Sequence, residues 1–281
     1  MWFDRINRRE ALFVLGGATV AQIRAEGGLL PVTRVDHVAL SVGDIDKALL
    51  FYRRLFGNEV LKDSRTPRRY LRLGPCYMAI APAAPGEAKR IDHFGVGIED
   101  FQASSIKRAL ENAGLKVRES NVGLFIVDPD GTSVQIWADQ SWKQLSNAAP
   151  EAAPRREAVF HPRGMHHLAI QVHDMGKATA FYRKLFGEPT PGQGNPPQPT
   201  FQAGETRILL YNPAPNKPAK IDHFSVLVDN FDAVSALKIV KSLGANAELS
   251  KQGTLNEFFD PDGIRLQVTF PGQTYGAPTK K

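Results

Sequence analysis

Arg90-Ile91-Asp92-His93-Phe94-Gly95-Val96-Gly97-Ile98 and Lys220-Ile221-Asp222-His223-Phe224-Ser225-Val226-Leu227-Val228 are two versions of one phrase, 130 residues apart. Each reads as a strand with a histidine near its start. With period two, His93, Gly95 and Gly97 share one face, and Phe94, Val96 and Ile98 share the other. The second copy sets His223, Ser225 and Leu227 against Phe224, Val226 and Val228. The Phe/Val/Ile face suits packing under a helix. The histidine face carries glycines in the first copy, which leaves space in front of the ring, as a ligand position requires.

Working outward, the chain repeats. Residues 33–42 predict a strand in which His37, Ala39 and Ser41 alternate with Val38, Leu40 and Val42. Asp44 is placed to cap a helix whose apolar residues Ile45, Ala48, Leu49, Tyr52, Leu55 and Phe56 follow helical spacing, and Gly57 stops it. Strand-like runs follow at 58–63, 69–73 and 77–82. The pattern restarts with strand 91–98, a helix over 101–113 ending at Gly114, and strands near 116–120, 123–127 and 132–138. The turn Asp128-Pro129-Asp130-Gly131 joins the last two, with proline fixing one dihedral and glycine taking a positive one. From Gly164 the sequence begins again: Met165-His166-His167-Leu168 answers Val35-Asp36-His37-Val38. Phe181-Tyr182-Arg183-Lys184-Leu185-Phe186-Gly187 answers Phe51-Tyr52-Arg53-Arg54-Leu55-Phe56-Gly57, and Asp260-Pro261-Asp262-Gly263 answers the earlier turn. Such self-similarity predicts two homologous domains, 31–138 and 163–273. Residues 139–162, rich in Ala, Pro and charge, read as a protease-sensitive linker.

Composition narrows the function. The 281 residues are 42% hydrophobic and 23% charged, an ordinary globular balance for about two domains. No zinc finger, basic helix or RNA-binding aromatic signature points to nucleic acid. Cys76 is the only cysteine, which excludes an intramolecular disulfide and a thiolate metal cluster. The net charge of +6 is mild, yet Lys62, Arg65, Arg68, Arg69 and Arg72 cluster. The favoured reading is a solvated face; the sharper one is a rim that attracts an anionic small molecule. Residues 1–30 resemble a bacterial twin-arginine export signal, with Arg8-Arg9 before the weakly apolar stretch Ala11 to Ala21. That resemblance implies cleavage after Ala21, an exported and periplasmic protein, and no membrane segment in the mature chain. Monomer and homodimer both remain open.

Two strand–helix–three-strand units per domain, the Phe-Tyr-x-x-Leu-Phe-Gly helix end and the Asp-Pro-Asp-Gly turn resemble the vicinal oxygen chelate superfamily of glyoxalases, bleomycin resistance proteins and extradiol dioxygenases. The resemblance spans about 33–138 and 164–270. It implies an α+β fold of four βαβββ modules, paired into half-open mixed β-barrels with helices outside. It further implies a divalent metal (Fe, Mn, Zn or Ni) inside each barrel. The matching ligand positions are His37, His93 and Gln135 in the first domain, and His167, His223 and Gln267 in the second. Alternation independently supports the last strands: Ser133, Gln135 and Trp137 oppose Val134 and Ile136, while Arg265, Gln267 and Thr269 oppose Leu266 and Val268.

Ser133, Trp137 and Thr269 are therefore candidate substrate contacts. Trp137 suits stacking on a planar substrate and serves equally as plain cavity wall. Many metal-dependent relatives place glutamate where this chain has Gln135 and Gln267, so the site lacks ligand charge and a ready base. The implied function is dioxygenase or lyase/isomerase chemistry by chelation of vicinal substrate oxygens. The alternative is a metal-free cup that sequesters a small molecule. His166 is expected to face away from His167, His161 and His173 to be solvated, and Tyr52 and Tyr182 to be core.

Overall fold

The computed structural model describes residues 27–145, 147–152, 157–192 and 196–271. The first repeat contains β1 (Val32–Val42), α1 (Ile45–Phe56), β2 (Val60–Asp63), β3 (Arg69–Leu73), β4 (Cys76–Pro82), β5 (Arg90–Ile98), α2 (Ala103–Asn112), β6 (Arg118–Ser120), β7 (Gly123–Val127) and β8 (Ser133–Ala138). A short strand, β9 (Ala148–Pro150), follows. The second repeat contains β10 (Pro162–Gln171), α3 (Met175–Phe186), β11 (Thr190–Pro191), β12 (Pro199–Ala203), β13 (Thr206–Tyr211), β14 (Lys220–Val228), α4 (Ala233–Ser242), β15 (Asn246–Ala247), β16 (Glu257–Phe259) and β17 (Arg265–Thr269).

Each repeat is one strongly curved, open mixed sheet. In the first, pairing gives the order β2-β3-β4-β1-β5-β8-β7-β6, with β1 parallel to β4, antiparallel to β5, and β5 parallel to β8. The second repeats this as β11-β12-β13-β10-β14-β17-β16-β15. The α+β architecture of four βαβββ modules is as expected. Capping is also as expected: the Asp44 side chain accepts from the amides of Asp46 and Lys47, and Gly57 closes α1 at φ 104°.

The histidine-bearing faces owe their geometry to β-bulges. Pairing between β1 and β5 slips at Asp36, between Val35 and His37, and again at Asp92, between Ile91 and His93. The second repeat slips at His166 and at Asp222. A bulge sets two residues of one strand opposite one of its partner. Asp36, Asp92, His166 and Asp222 are thereby brought to the face of the histidine that follows each of them. The expectation that His166 points away from His167 does not hold, for this reason.

The two repeats do not have separate cores. One apolar cluster runs through both, including Phe51, Tyr52 and Phe94 from the first and Tyr182, Phe224 and Phe258 from the second. The repeats also exchange hydrogen bonds through the two motifs that announce the duplication. Tyr52 donates to Asp260 Oδ2 at 2.7 Å, and Tyr182 donates to Asp128 Oδ2 at 3.0 Å. The other oxygen of each aspartate holds its own turn, accepting from the amides of Asp130 and Thr132, or of Asp262 and Ile264. The second aspartates reach across as well, Asp262 to the Gly43 amide and Asp130 to the His173 amide and ring. Tyr52 and Tyr182 are thus core residues with an interdomain role. His173 is exposed as expected, but it is bonded across the interface. Ile91 and Ile221 bridge β5 to β14.

Two boundaries differ from expectation. Residues 1–26, which hold the paired arginines and the Ala21 cleavage position, lie outside the described residues. The remainder of the predicted leader is part of the fold: Leu29 and Leu30 donate to the carbonyls of Lys184 and Leu185 at the end of α3. The segment 139–162 is not a free linker where it is described. Ser141 is fully buried, β9 pairs with β2, Glu151 bridges Arg53 and Arg69, and Phe160 packs in the core. Its alanines and prolines read as linker because their partners are distant in sequence.

Candidate functional site

In the first repeat, β1, β5 and β8 bring His37, His93 and Gln135 to one point on the concave face. Gln135 Oε1 stands 3.1 Å from His37 Nε2 and 3.1 Å from His93 Nε2. The ring of His37 stacks on Tyr77 at 4.6 Å and meets the His93 ring edge-on. Gly95 makes this possible, since a Cβ there would lie 2.0 Å from His37 Cε1. The space expected in front of the glycines is filled by the second histidine.

Hydrogen bonding fixes what these atoms present to one another. Gln135 Nε2 donates to the Val122 carbonyl, which can only accept, so Oε1 must face the histidines. His37 Nδ1 lies 3.2 Å from Asp36 Oδ2, and His93 Nδ1 lies 3.0 Å from Asp92 Oδ2. A carboxylate only accepts, so each Nδ1 carries the proton. Burial lowers the His93 pKa, against the opposing pull of Asp92, and keeps that ring neutral near pH 7. An imidazole whose one proton sits on Nδ1 presents a lone pair at Nε2, and both Nε2 atoms point toward a third lone pair on Gln135. Three convergent acceptors repel unless a cation joins them. Their spacing also suits one: ligands about 2.1 Å from a metal and at right angles to each other stand ~3.0 Å apart. The donor set therefore fits a divalent ion. It includes an amide rather than a third ionisable ligand, and among the described residues no group of three or more His, Cys, Asp and Glu side chains is placed to hold a metal.

Three aspartates form a support layer that sequence reasoning missed. Asp36 is buried and also accepts from Ser141 Oγ at 2.7 Å, and Ser141 in turn lies 3.0 Å from the Tyr77 hydroxyl. Asp92 is held below the usual carboxylate range, first by its His93 hydrogen bond. The available signal was the dipeptide Asp-His, which occurs at 36–37, 92–93 and 222–223.

The fourth instance breaks the pattern, and the second site behaves differently. His166 stands where Asp36 stands in the first repeat. Arg207 donates to His166 Nε2 at 2.8 Å, so that ring is protonated at Nδ1, which lies 2.8 Å from His167 Nδ1. His167 must then carry its proton on Nε2, 3.2 Å from His223 Nε2. His223 donates from Nδ1 to Asp222 at 2.8 Å, and Arg265 also donates to Asp222. The three imidazoles thus bond one another in series, and Gln267 stands beside His167 as well. Burial and Arg207 push the His166 pKa down to about 4, and burial, His223 and His166 hold His167 well below its ordinary value. Burial opposes ionisation of Asp222, but hydrogen bonds from His223 and Tyr211 and the Arg265 charge outweigh it. Gln267 donates from Nε2 to Glu257 at 3.1 Å and keeps its place beside His167. The two triads, identical in sequence, are thus an open set of acceptors in the first repeat and a closed hydrogen-bonded chain in the second.

The surroundings differ too. A cavity of about 580 Å³ opens over the first site, with His37, His93 and Gln135 at its floor and Tyr70, Tyr77, Phe125 and Trp137 among its walls. Ser133 and Trp137 line it. Thr269 does not play the equivalent part: it is buried, and its hydroxyl lies 2.8 Å from that of Ser225. The basic cluster divides. Arg69 pairs with Glu151 and Arg72 with Glu59, whereas Arg65 and Arg68, both solvent-exposed, also line the cavity. No helix among the described residues is long and apolar enough to cross a membrane.

Comparison with known proteins accords with this fold. The structure is similar to a 2,3-dioxygenase, LapB, from Pseudomonas sp. KL28, with a TM-score of 0.62 at 18% identity over 90% of this chain and 97% of that one. It is similar to the Mn(II)-bound glyoxalase from Novosphingobium aromaticivorans, with a TM-score of 0.62 at 16% identity over 86% and 83%. In sequence, the metallothiol transferase FosB of Staphylococcus epidermidis is 27% identical over 119 residues, 38% of this chain and 82% of FosB. The family model for the Glyoxalase/Bleomycin resistance protein/Dioxygenase superfamily matches residues 34–136 and 164–268. Both repeats are covered, and the chain belongs to that superfamily.

Proposed function

We propose that the chain is a metal-dependent enzyme acting on a small molecule in the cup of its first repeat. A divalent ion, of the Fe, Mn, Zn and Ni group, would be held by His37 Nε2, His93 Nε2 and Gln135 Oε1. The observation that carries this reading is the convergence of three acceptor lone pairs, two of them aimed by Asp36 and Asp92. When bound, the ion supplies Lewis-acid polarisation of vicinal substrate oxygens. The chain supplies the rest. Trp137 and Phe125 offer flat apolar walls for a planar body. Tyr70, whose pKa burial raises, remains a protonated hydroxyl donor in the wall. The reaction is of dioxygenase or lyase/isomerase type, in keeping with the names of the similar proteins. No carboxylate stands at the Gln135 position, so base chemistry must come from the substrate's own anion or from elsewhere in the cup.

A second reading is a metal-free binding cup, favoured by the amide in place of a third ionisable ligand. Metal analysis separates the two. Protein purified, stripped and titrated anaerobically with Mn(II), Fe(II), Zn(II) or Ni(II) should take up one equivalent, lost in His93→Ala. No uptake by the native chain, or uptake unchanged in His93→Ala, would overturn the enzyme reading.

A further inference from the structure

The sheet order places β2–β3 and β6–β7 at opposite edges of the first repeat, and its curvature brings both edges over the cup. The β2–β3 loop contributes Arg65, Thr66 and Arg68 to the mouth, and the β6–β7 hairpin contributes Arg118, Ser120 and Asn121. The charges facing the cavity are Arg65, Arg68, Arg118, Asp63 and Asp92. Arg65 is spent on Asp63, which it meets at 3.1 Å, and Arg90 holds Asp92 at 2.7 Å. Arg68 and Arg118 are left over: among the described residues neither has a carboxylate within ion-pair distance. Every other arginine of the basic run is paired. Arg118 is nonetheless positioned, its guanidinium 4.1 Å above the Phe125 ring that forms the wall below it. Arg68 precedes Tyr70, another wall residue, by two positions and lines the cavity with it. Two guanidiniums free of carboxylates, one stacked on an aromatic wall and the two contributed by opposite edges of the sheet to one cavity, make a recognisable receptor for a small anion.

We propose that Arg68 and Arg118 form an anion clamp at the mouth of the cup, and that the ligand is a planar molecule bearing a carboxylate. The carboxylate lies at the mouth between the two arginines, the planar body lies between Phe125 and Trp137, and the opposite end meets the His37–His93–Gln135 floor. The orientation rests on the function proposed above; the clamp does not.

Three probes test it by calorimetry on the full chain loaded with Mn(II): catechol, 3,4-dihydroxybenzoate and benzoate. 3,4-Dihydroxybenzoate should bind at least about tenfold more tightly than catechol, the usual strength of a charge-assisted contact. Arg68→Gln and Arg118→Gln should each erase most of that preference and leave catechol affinity unchanged. Both arginines are exposed, and melting curves should match the native chain. Equal affinity for catechol and 3,4-dihydroxybenzoate, or a preference that survives both substitutions, would overturn the clamp. If instead benzoate equals 3,4-dihydroxybenzoate, and both depend on the arginines but not on metal, the clamp stands and the metal-enzyme reading falls.

Discussion

Gln135→Glu tests the central argument most directly. Glutamate nearly matches glutamine in shape, so the effect comes from two atoms. The amide nitrogen that donates to the Val122 carbonyl becomes an oxygen, which leaves two acceptors face to face. Loss of that buried donor costs about 1–3 kcal/mol in the metal-free protein. For a chain of this size that lowers the melting midpoint by roughly 2–12 °C. The other oxygen becomes a charged ligand between His37 and His93, where an amide stood before. Affinity for Mn(II) or Zn(II) should rise by about tenfold or more, about 1.4 kcal/mol at least. The substitution thus destabilises the empty protein while it widens the gap between empty and loaded melting points. Gln267→Glu is the control. There the new carboxylate faces Glu257 as well as His167, and His167 and His223 already bond one another. It should lower stability and bring no metal. Anaerobic calorimetric titration and paired melting curves read both effects. A destabilised Gln135→Glu protein with no gain in metal affinity would refute the reasoning, as would an equal gain in Gln267→Glu.

Four further outcomes follow from the same geometry. His166→Asp should turn the His167 ring to the tautomer seen at His37, and metal stoichiometry measured by plasma emission should rise from one to two per chain. Gly95→Ala drives a methyl into the buried His37 ring, which is stacked on Tyr77, so metal uptake should vanish and stability should drop by about 1–3 kcal/mol in urea unfolding. His93, His166 and His167 titrate lower folded than unfolded, so the unfolded chain binds more protons below about pH 6.5. Stability should therefore be full above pH 6.5 and decline toward pH 4; the decline should be smaller in His166→Asn, and denaturant titrations at pH 7.5 and 5.0 measure it. Tyr52→Phe leaves a buried Asp260 oxygen without its interdomain donor and should cost about 1–3 kcal/mol, with the repeats still melting together because their core is continuous.

Much of this protein is legible in its sequence. Duplication is a property of the string, and strand alternation is local, so the two repeats, their modules and the polar faces bearing His37, His93, Gln135, His167, His223 and Gln267 follow without coordinates. Capping at Asp44 and the stop at Gly57 are likewise local.

What the tertiary structure alone decided lies in strand pairing and long-range contact. A β-bulge exists only where two strands fail to match one for one, and neither strand announces it. Yet the bulges move Asp36, Asp92, Asp222 and His166 onto the ligand face, against the period-two reading that turned His166 away. Ser141 looks like linker until its hydroxyl meets Asp36, a residue 105 positions away. The Tyr–Asp bonds between repeats join motifs that sequence reading assigns to separate domains. Most of all, two triads spelled with the same letters differ in chemistry because a carboxylate beside His37 and an imidazole beside His167 impose opposite tautomers. Alternation shows which residues share a face, but the position of a proton on a ring is set by hydrogen-bond partners that only the folded chain assembles.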